Sequence, residues 1–278
     1  MLFNKARYFS PGLLLVFAGG QLALAEEPAP HRSRAEMEQF LLNAEVLQRK
    51  TLGQGVTNSE KAVLSDGKLK HDAHIQSIDV QSNSFASSHG TELNFKDSYK
   101  FNIAAYRLDK IMDLNMIPVS VLRKVGGKSS AVTWWVDDKM FDDVDRKKQG
   151  IEPPNPDEWN KQMYVLRVFD QLIYNVDRNL GNLVIDKQWR MWMIDHTRAF
   201  RLQTKLQNEK NLVMCDRKLL ASMRKLDQET LDEQLQPFLT KSEIKALLAR
   251  RDLIVKFFDN AVKEKGEAAV LYDLPPRQ

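Results

Sequence analysis

From Gln162 to Val176 the apolar residues Met163, Val165, Leu166, Phe169, Leu172, Ile173 and Val176 recur on one helical face, and the run ends directly in the polar stretch "DRNLGN". A helix with so complete an apolar stripe must bury it, so its C-terminal end delivers Asp177 to a fixed place. Beyond it, "NLVI" and "RMWMI" flank "DKQW", which predicts a hairpin whose second strand ends at Asp195. Asp177, Asn182 and Asp195 are thus spaced around one unit of helix, loop and hairpin. Singly, each is an ordinary turn former; the order of the elements makes them a set.

The rest of the chain narrows what that set can serve. Lys5 and Arg7, the apolar "GLLLVFAGG" and the small residues Ala23 to Ala25 read as an export signal over residues 1–25. Its apolar part is shorter than the roughly 20 residues of a bilayer crossing. The expectation is a mature chain beginning near Glu26, periplasmic or in a secretory pathway, with no integral membrane span; an uncleaved anchor is the alternative. The formal charge of +4 includes Lys5 and Arg7, and the other basic residues alternate with acids as in "DDKMFDDVDRKK". That pattern is a solvated surface and gives no reason to expect a nucleic-acid partner. Cys215 is the sole cysteine, which excludes an intrachain disulfide framework and cysteine-based metal clusters. His71 and His74 lie three apart with no third ligand in view, so a structural or surface role is expected of them.

Residues 26–50 read as a Pro-containing lead-in followed by one amphipathic helix, "AEMEQFLLNAEVLQRK". Residues 51–136 form a first lobe: a turn at Gly53 and Gly55, strands "KAVLS" and "HDAHIQSID" around Asp66-Gly67, and a polar loop, "VQSNSFASSHG". A helix over Asp97 to Met112 and strands "VSVLRKV" and "SAVTWWV" around Gly126-Gly127 complete it. Residues 137–160, charged and holding "PPNP", form a connection or insertion, and residues 161–278 form a helical second lobe carrying the hairpin. One of its helices is capped at Thr240 or Ser242. Trp134, Trp135, Trp189 and Trp192, on strands, are expected in the core. The fold class is α+β, with a small antiparallel β-rich lobe bearing one main helix and a mostly helical lobe.

On that scaffold the three polar residues have the types that phosphoryl transfer requires. One carboxylate orients or deprotonates an attacking hydroxyl, while an amide oxygen and a second carboxylate hold the magnesium that bridges nucleotide phosphates. Oxygen donors of this kind suit magnesium or manganese rather than zinc. The segment "FDQLIYNVDRNLGNLVIDKQWRMWMIDHTRAF" resembles the catalytic core of atypical kinases: the secreted-protein kinases of the Golgi casein kinase family, the HipA kinases and the phosphatidylinositol 3- and 4-kinases. "NIAAYRLDKIMDLNMIPVSVLRKV" resembles the first-lobe helix and following strand of the secreted-protein kinases. The resemblance spans about Gly53 to Leu226, in segments. It implies a two-lobed protein-kinase-like fold, ATP with Mg2+ or Mn2+ as cofactor, Asp177 as catalytic base, and Asn182 and Asp195 as metal ligands. Arg178 and His196 would be supporting groups.

The sequence departs from this family in its first lobe. Gln76 stands where the resemblance expects the strand lysine that holds phosphates, and Asn102 where it expects the helix glutamate that pairs with that lysine. A neutral amide pair leaves no unpaired buried charge. It also withdraws a charge-assisted phosphate contact, a loss of about 10² to 10³ in rate unless another cation takes over. Lys61, Lys70 and Lys96 are candidates, with Glu92 as a matching acid. "GQGVTNSEK", with Gly53 and Gly55, is either a phosphate-covering turn or an ordinary hairpin. Two readings follow: a kinase acting on a hydroxyl of a protein, sugar or lipid, or a pseudokinase that binds nucleotide or a partner without turnover. Nucleotidyl transfer by the same fold is a third.

Overall fold

The computed structural model describes residues 32–53, 59–87 and 90–277. The expected signal segment, and Gly55 with the centre of its turn, lie outside the described residues. Helix α1 (Arg34–Asn43) begins in a capping box, with the Ser33 hydroxyl accepting from the Glu36 amide and the Glu36 carboxylate accepting from the Ser33 amide. It ends sooner than its periodicity predicts. Ala44 turns extended, and the next residues form strand β1 (Glu45–Thr51) against β2 (Glu60–Ser65). Pairing along β2 engages six residues of β1, with a bulge at Leu47, and this overrides a helical pattern in which Leu47 would have been buried.

Strand β3 (Lys70–Gln76) returns from β2 through the Asp66-Gly67 turn, where the Asp66 carboxylate accepts from the amides of Lys68 and Leu69 at 2.9 and 2.7 Å. The stretch expected as a polar loop is a long hairpin instead, β4 (Asp79–Ser87) and β5 (Gly90–Ser98), paired from Asp79 with Ser98 to Ser87 with Gly90. Leu93 and Phe95 alternate with Glu92, Asn94 and Lys96, a period of two that the serine-rich composition of β4 conceals. Helix α2 (Lys100–Met112) follows, burying Ala104, Ala105, Leu108 and Met112. Strands β6 (Ser120–Val125) and β7 (Lys128–Trp134) meet at Gly126-Gly127, both with positive φ, as a two-residue hairpin turn demands. The main sheet is antiparallel, in the order β1-β2-β3-β7-β6, with α1 and α2 packed on β6 and β7.

Residues 137–160 contribute strand β8 (Lys139–Asp142) and helix α3 (Asp143–Lys148) before the central helix α4 (Pro156–Ile173). The α4 start has Asn155 as N-cap and Pro156 in the first turn. Its stripe of Val165, Leu166, Phe169, Leu172 and Ile173 is buried, but Val176, beyond the helix, is exposed. Strands β9 (Leu183–Asp186) and β10 (Met191–Met193) form the expected hairpin, which β8 extends to three strands. The chain continues through β11 (Cys215–Asp216), α5 (Arg217–Lys225), α6 (Gln228–Leu235), α7 (Lys241–Lys265), α8 (Glu267–Val270) and β12 (Leu271–Tyr272). Thr240 is the α7 cap, in a capping box with Glu243. Helix α7 packs on α4, α5 and α6, and from Ser33 onwards the chain is one compact unit. Of the four tryptophans expected in the core only Trp134 is fully there; Trp135, Trp189 and Trp192 are half-buried. Among the described residues no helix is long and apolar enough to cross a membrane.

Candidate active site

Helix α4 stops at Tyr174, whose left-handed backbone (φ 51°) turns the chain out of the helix. Asn175 then accepts from the Asp177 amide at 3.1 Å and donates to Asp170 at 3.1 Å, fixing the path that carries Asp177. The next residue ties the site together. Arg178 donates through Nε to Asp170 Oδ2 at 2.9 Å, and through Nη1 to the carbonyls of Asn182 and Ile194 at 2.9 and 2.8 Å. Its Nη2 meets His196 Nε2 at 2.9 Å. A guanidinium has no acceptor, so this imidazole nitrogen must accept. Burial, and then the Arg178 charge, hold the His196 pKa well below its ordinary value, consistent with a neutral ring. One side chain thereby joins α4, the loop and both flanks of Asp195.

Asp177, Asn182 and Asp195 converge around this clamp. The Asn182 amide nitrogen donates to the Asp177 carbonyl at 3.1 Å, and the Ile194 amide donates to the Asn182 carbonyl at 3.1 Å. Asp195 adopts φ 52°, a left-handed conformation that Asp tolerates better than most residues and that ends the extended run of β10. Its Oδ1 accepts from the Thr197 hydroxyl at 3.1 Å. Burial raises the Asp177 pKa, opposed by Arg198 and reinforced by the Asp195 charge, so the two carboxylates feel each other.

Gln76 and Asn102 also meet. The Asn102 amide donates to Gln76 Oε1 at 2.6 Å and its oxygen accepts from the His196 amide at 2.7 Å, all in the buried interior. The neutral pair therefore links β3 through α2 to the loop that carries Asp195. Gly53 lies just past β1 with φ 60°. The candidate replacement cations are engaged elsewhere in two cases: Lys61 pairs with Asp72 at 2.7 Å over the Trp135 ring, and Lys96 with Glu243 at 2.7 Å. Glu92 does match cations, but arginines: it pairs with Arg198 and, at 2.5 Å, with Arg201. His74 sits on β3 with its pKa lowered by burial, against the opposing charge of Asp195, and His71 stacks on Trp134 at 3.6 Å.

The β4-β5 hairpin brings a residue that sequence reasoning missed. Asp97, at the end of β5, has a pKa raised by burial, lowered by a hydrogen bond with Thr197, and raised again by Asp195 and Asp177. Its Oδ1 is buried without a hydrogen-bond partner. Its spacing of two from Phe95, which is buried, was the available signal. The donors gathered here, carboxylate and amide oxygens with one orphaned carboxylate oxygen, suit a hard divalent cation. Among the described residues no three His, Cys, Asp or Glu side chains are set together as a metal cluster, so an amide ligand would have to take part. Two surface depressions of about 520 Å³ lie elsewhere, one beside Arg224 and Arg251, the other beside Trp159 and Trp189.

No protein-family model matches the sequence, and none of the curated proteins matches it. Solved structures do. A hydra Fam20 structure with sugar superposes with a TM-score of 0.65 at 15% identity, covering 86% of this chain and 92% of the other. The Golgi casein kinase gives 0.61 at 12% identity, and its form with Mn/ADP bound 0.59 at 13%; each match covers 88% of this chain and 80% of the other. The chain has an atypical kinase-like fold. At these identities the likeness is one of architecture. Within the kinase-like fold the antiparallel lobe precedes the helical lobe, as the sequence resemblance implied.

Proposed function

We propose that this chain is an exported phosphotransferase that moves a phosphoryl group from ATP to a hydroxyl of a protein, sugar or lipid. The observation that carries the reading is the Arg178 clamp, which holds the loop of Asp177 and Asn182 against the strand end of Asp195. Asp177, half-buried at the end of α4, would orient the acceptor hydroxyl and take its proton. Asn182 and Asp195 would hold Mg2+ or Mn2+, which when bound neutralises charge on the nucleotide phosphates. The amide nitrogen of Asn182 is already committed to the Asp177 carbonyl, which leaves its oxygen for the cation. Gly53 would border the nucleotide with Gln76 and Asn102, and the first 25 residues would direct export.

A second reading, nucleotide or partner binding without turnover, is favoured by one observation, the neutral Gln76 and Asn102 pair. One set of measurements separates the two. On the mature chain, ATP with Mg2+ or Mn2+ should raise the melting temperature, and Asp195→Ala should abolish the shift. At 100 times Kd the ligand adds about 2.7 kcal/mol. Turnover lost on Asp177→Ala with binding retained supports the kinase; binding without turnover in the wild type supports the pseudokinase. A metal-dependent shift that survives Asp195→Ala would sink the metal assignment.

A further inference from the structure

The proposed cation set has one weakness: Asn182 is neutral, so Asp195 is its only charged ligand, and Asn102 adds no carboxylate from α2. Divalent cations bound by protein oxygens gain affinity with the number of charged ligands. Asp97, five residues before Asn102, is 9% exposed, and its Oδ1 has no hydrogen-bond partner. A buried, unpartnered carboxylate oxygen calls for an explanation, an ion among them.

Three contacts hold Asp97 toward Asp195. The Ser98 amide donates to the Thr197 carbonyl at 2.9 Å, fastening the end of β5 to the segment that follows Asp195. The Ser98 hydroxyl donates to Asp79 at 2.7 Å, which holds the hairpin base closed. The Thr197 hydroxyl lies in hydrogen-bonding reach of both Asp195 Oδ1 and Asp97, and its one proton can serve only one of them, so the two carboxylates meet at a single hydroxyl. Arg198, whose charge reaches Asp97, is committed through Nη2 to Glu92, and its own Nε is buried without a partner. Arg201, which Asp97 also feels, gives it no hydrogen bond either, so neither arginine satisfies Asp97 Oδ1.

We infer that Asp97 is a ligand of a divalent cation shared with Asp195, supplying from β5 a carboxylate that α2 does not provide. The inference rests on the phosphotransfer reading and names a residue beyond it. In the absence of metal, Asp97 is a desolvated charge facing another carboxylate, which destabilises the folded chain. Binding a cation reverses that sign. Asp97→Asn should therefore do two opposite things.

The test uses the mature chain with Mn2+ and ADP, free Mn2+ being read by electron paramagnetic resonance, and thermal melting in excess chelator. Asp97→Asn is expected to weaken Mn2+ at least tenfold, as Asp195→Asn should, while melting in chelator no lower than wild type. Asp97→Glu, which keeps the charge but displaces it by one methylene, should also weaken Mn2+. Wild-type Mn2+ affinity in Asp97→Asn, with affinity lost in Asp195→Asn, overturns the Asp97 assignment and leaves the phosphotransfer reading standing. A lower melting temperature of Asp97→Asn in chelator marks a structural carboxylate and overturns the assignment as well. No Mn2+ binding by the wild type removes the phosphotransfer reading itself.

Discussion

Asn102 uses both ends of its amide, giving a proton to Gln76 and accepting one from the His196 backbone. A carboxamide is both donor and acceptor, so one neutral residue spans two elements that a charged pair would join by Coulomb attraction. Gln76→Lys or Asn102→Glu alone would bury an unpaired charge, at about 3–5 kcal/mol each. The double substitution restores a pair, and the two changes should be non-additive by about 2 kcal/mol in its favour. Urea unfolding of the four proteins measures this, and strict additivity would show that the positions do not communicate. That Gln76 and Asn102 belong together was legible from the resemblance alone. Asp97 and the pairing of Glu92 with Arg198 and Arg201 were not, because they join residues over 90 positions apart in the chain, across a hairpin read as a loop.

At the scale of elements, helix α4 depends on α7. Arg250 of α7, fully buried, donates to the Leu172 carbonyl at 2.8 Å and to the carbonyls of Arg201 and Gln203 at 2.9 and 2.5 Å. Leu172 lies in the last turn of α4, where carbonyls lack helical partners, so Arg250 completes the helix end that delivers Asp177. Each buried carbonyl left unsatisfied costs about 1–3 kcal/mol. Arg250→Leu should lower unfolding free energy by about 3 kcal/mol or more, measured by denaturant titration; a change below about 1 kcal/mol would mean the carbonyls find other partners. Apolar period found α4, α2 and the β9-β10 hairpin, since each shows its own stripe. It misplaced the end of α1 and missed β4 and β5, where pairing with a distant strand or with each other decides the conformation.

For the whole molecule, two histidines, His196 buried and His74 half-buried, couple stability to pH. His196 and His74 both have pKa values pushed down by burial. Near pH 6.5 and below, the unfolded chain takes up protons that the folded chain does not, so their contribution to stability is complete above that pH and is lost as pH falls. Asp97 and Asp177, whose raised pKa values act in the opposite sense as pH falls, are present in both proteins, so the loss of urea midpoint in chelator from pH 7.5 to pH 5.5 should be smaller in His196→Gln than in wild type. An unchanged pH difference in that variant would show that His196 does not titrate between the folded and unfolded states.

The sequence by itself determined the two-lobed α+β class, the central helix, the hairpin after it and the placing of Asp177, Asn182 and Asp195 around them. Periodicity and turn chemistry are local, and these elements bury faces that each one carries. Tertiary structure decided that Arg178 would tie Asp170 to the Asn182 and Ile194 carbonyls and to His196, that Gln76 would reach the His196 backbone through Asn102, and that a serine-rich stretch would fold as a hairpin and bring Asp97 beside the segment that follows Asp195. Those outcomes depend on buried polar groups finding partners from remote segments. No local pattern records such a choice, because hydrogen-bond satisfaction is settled only when the lobes close.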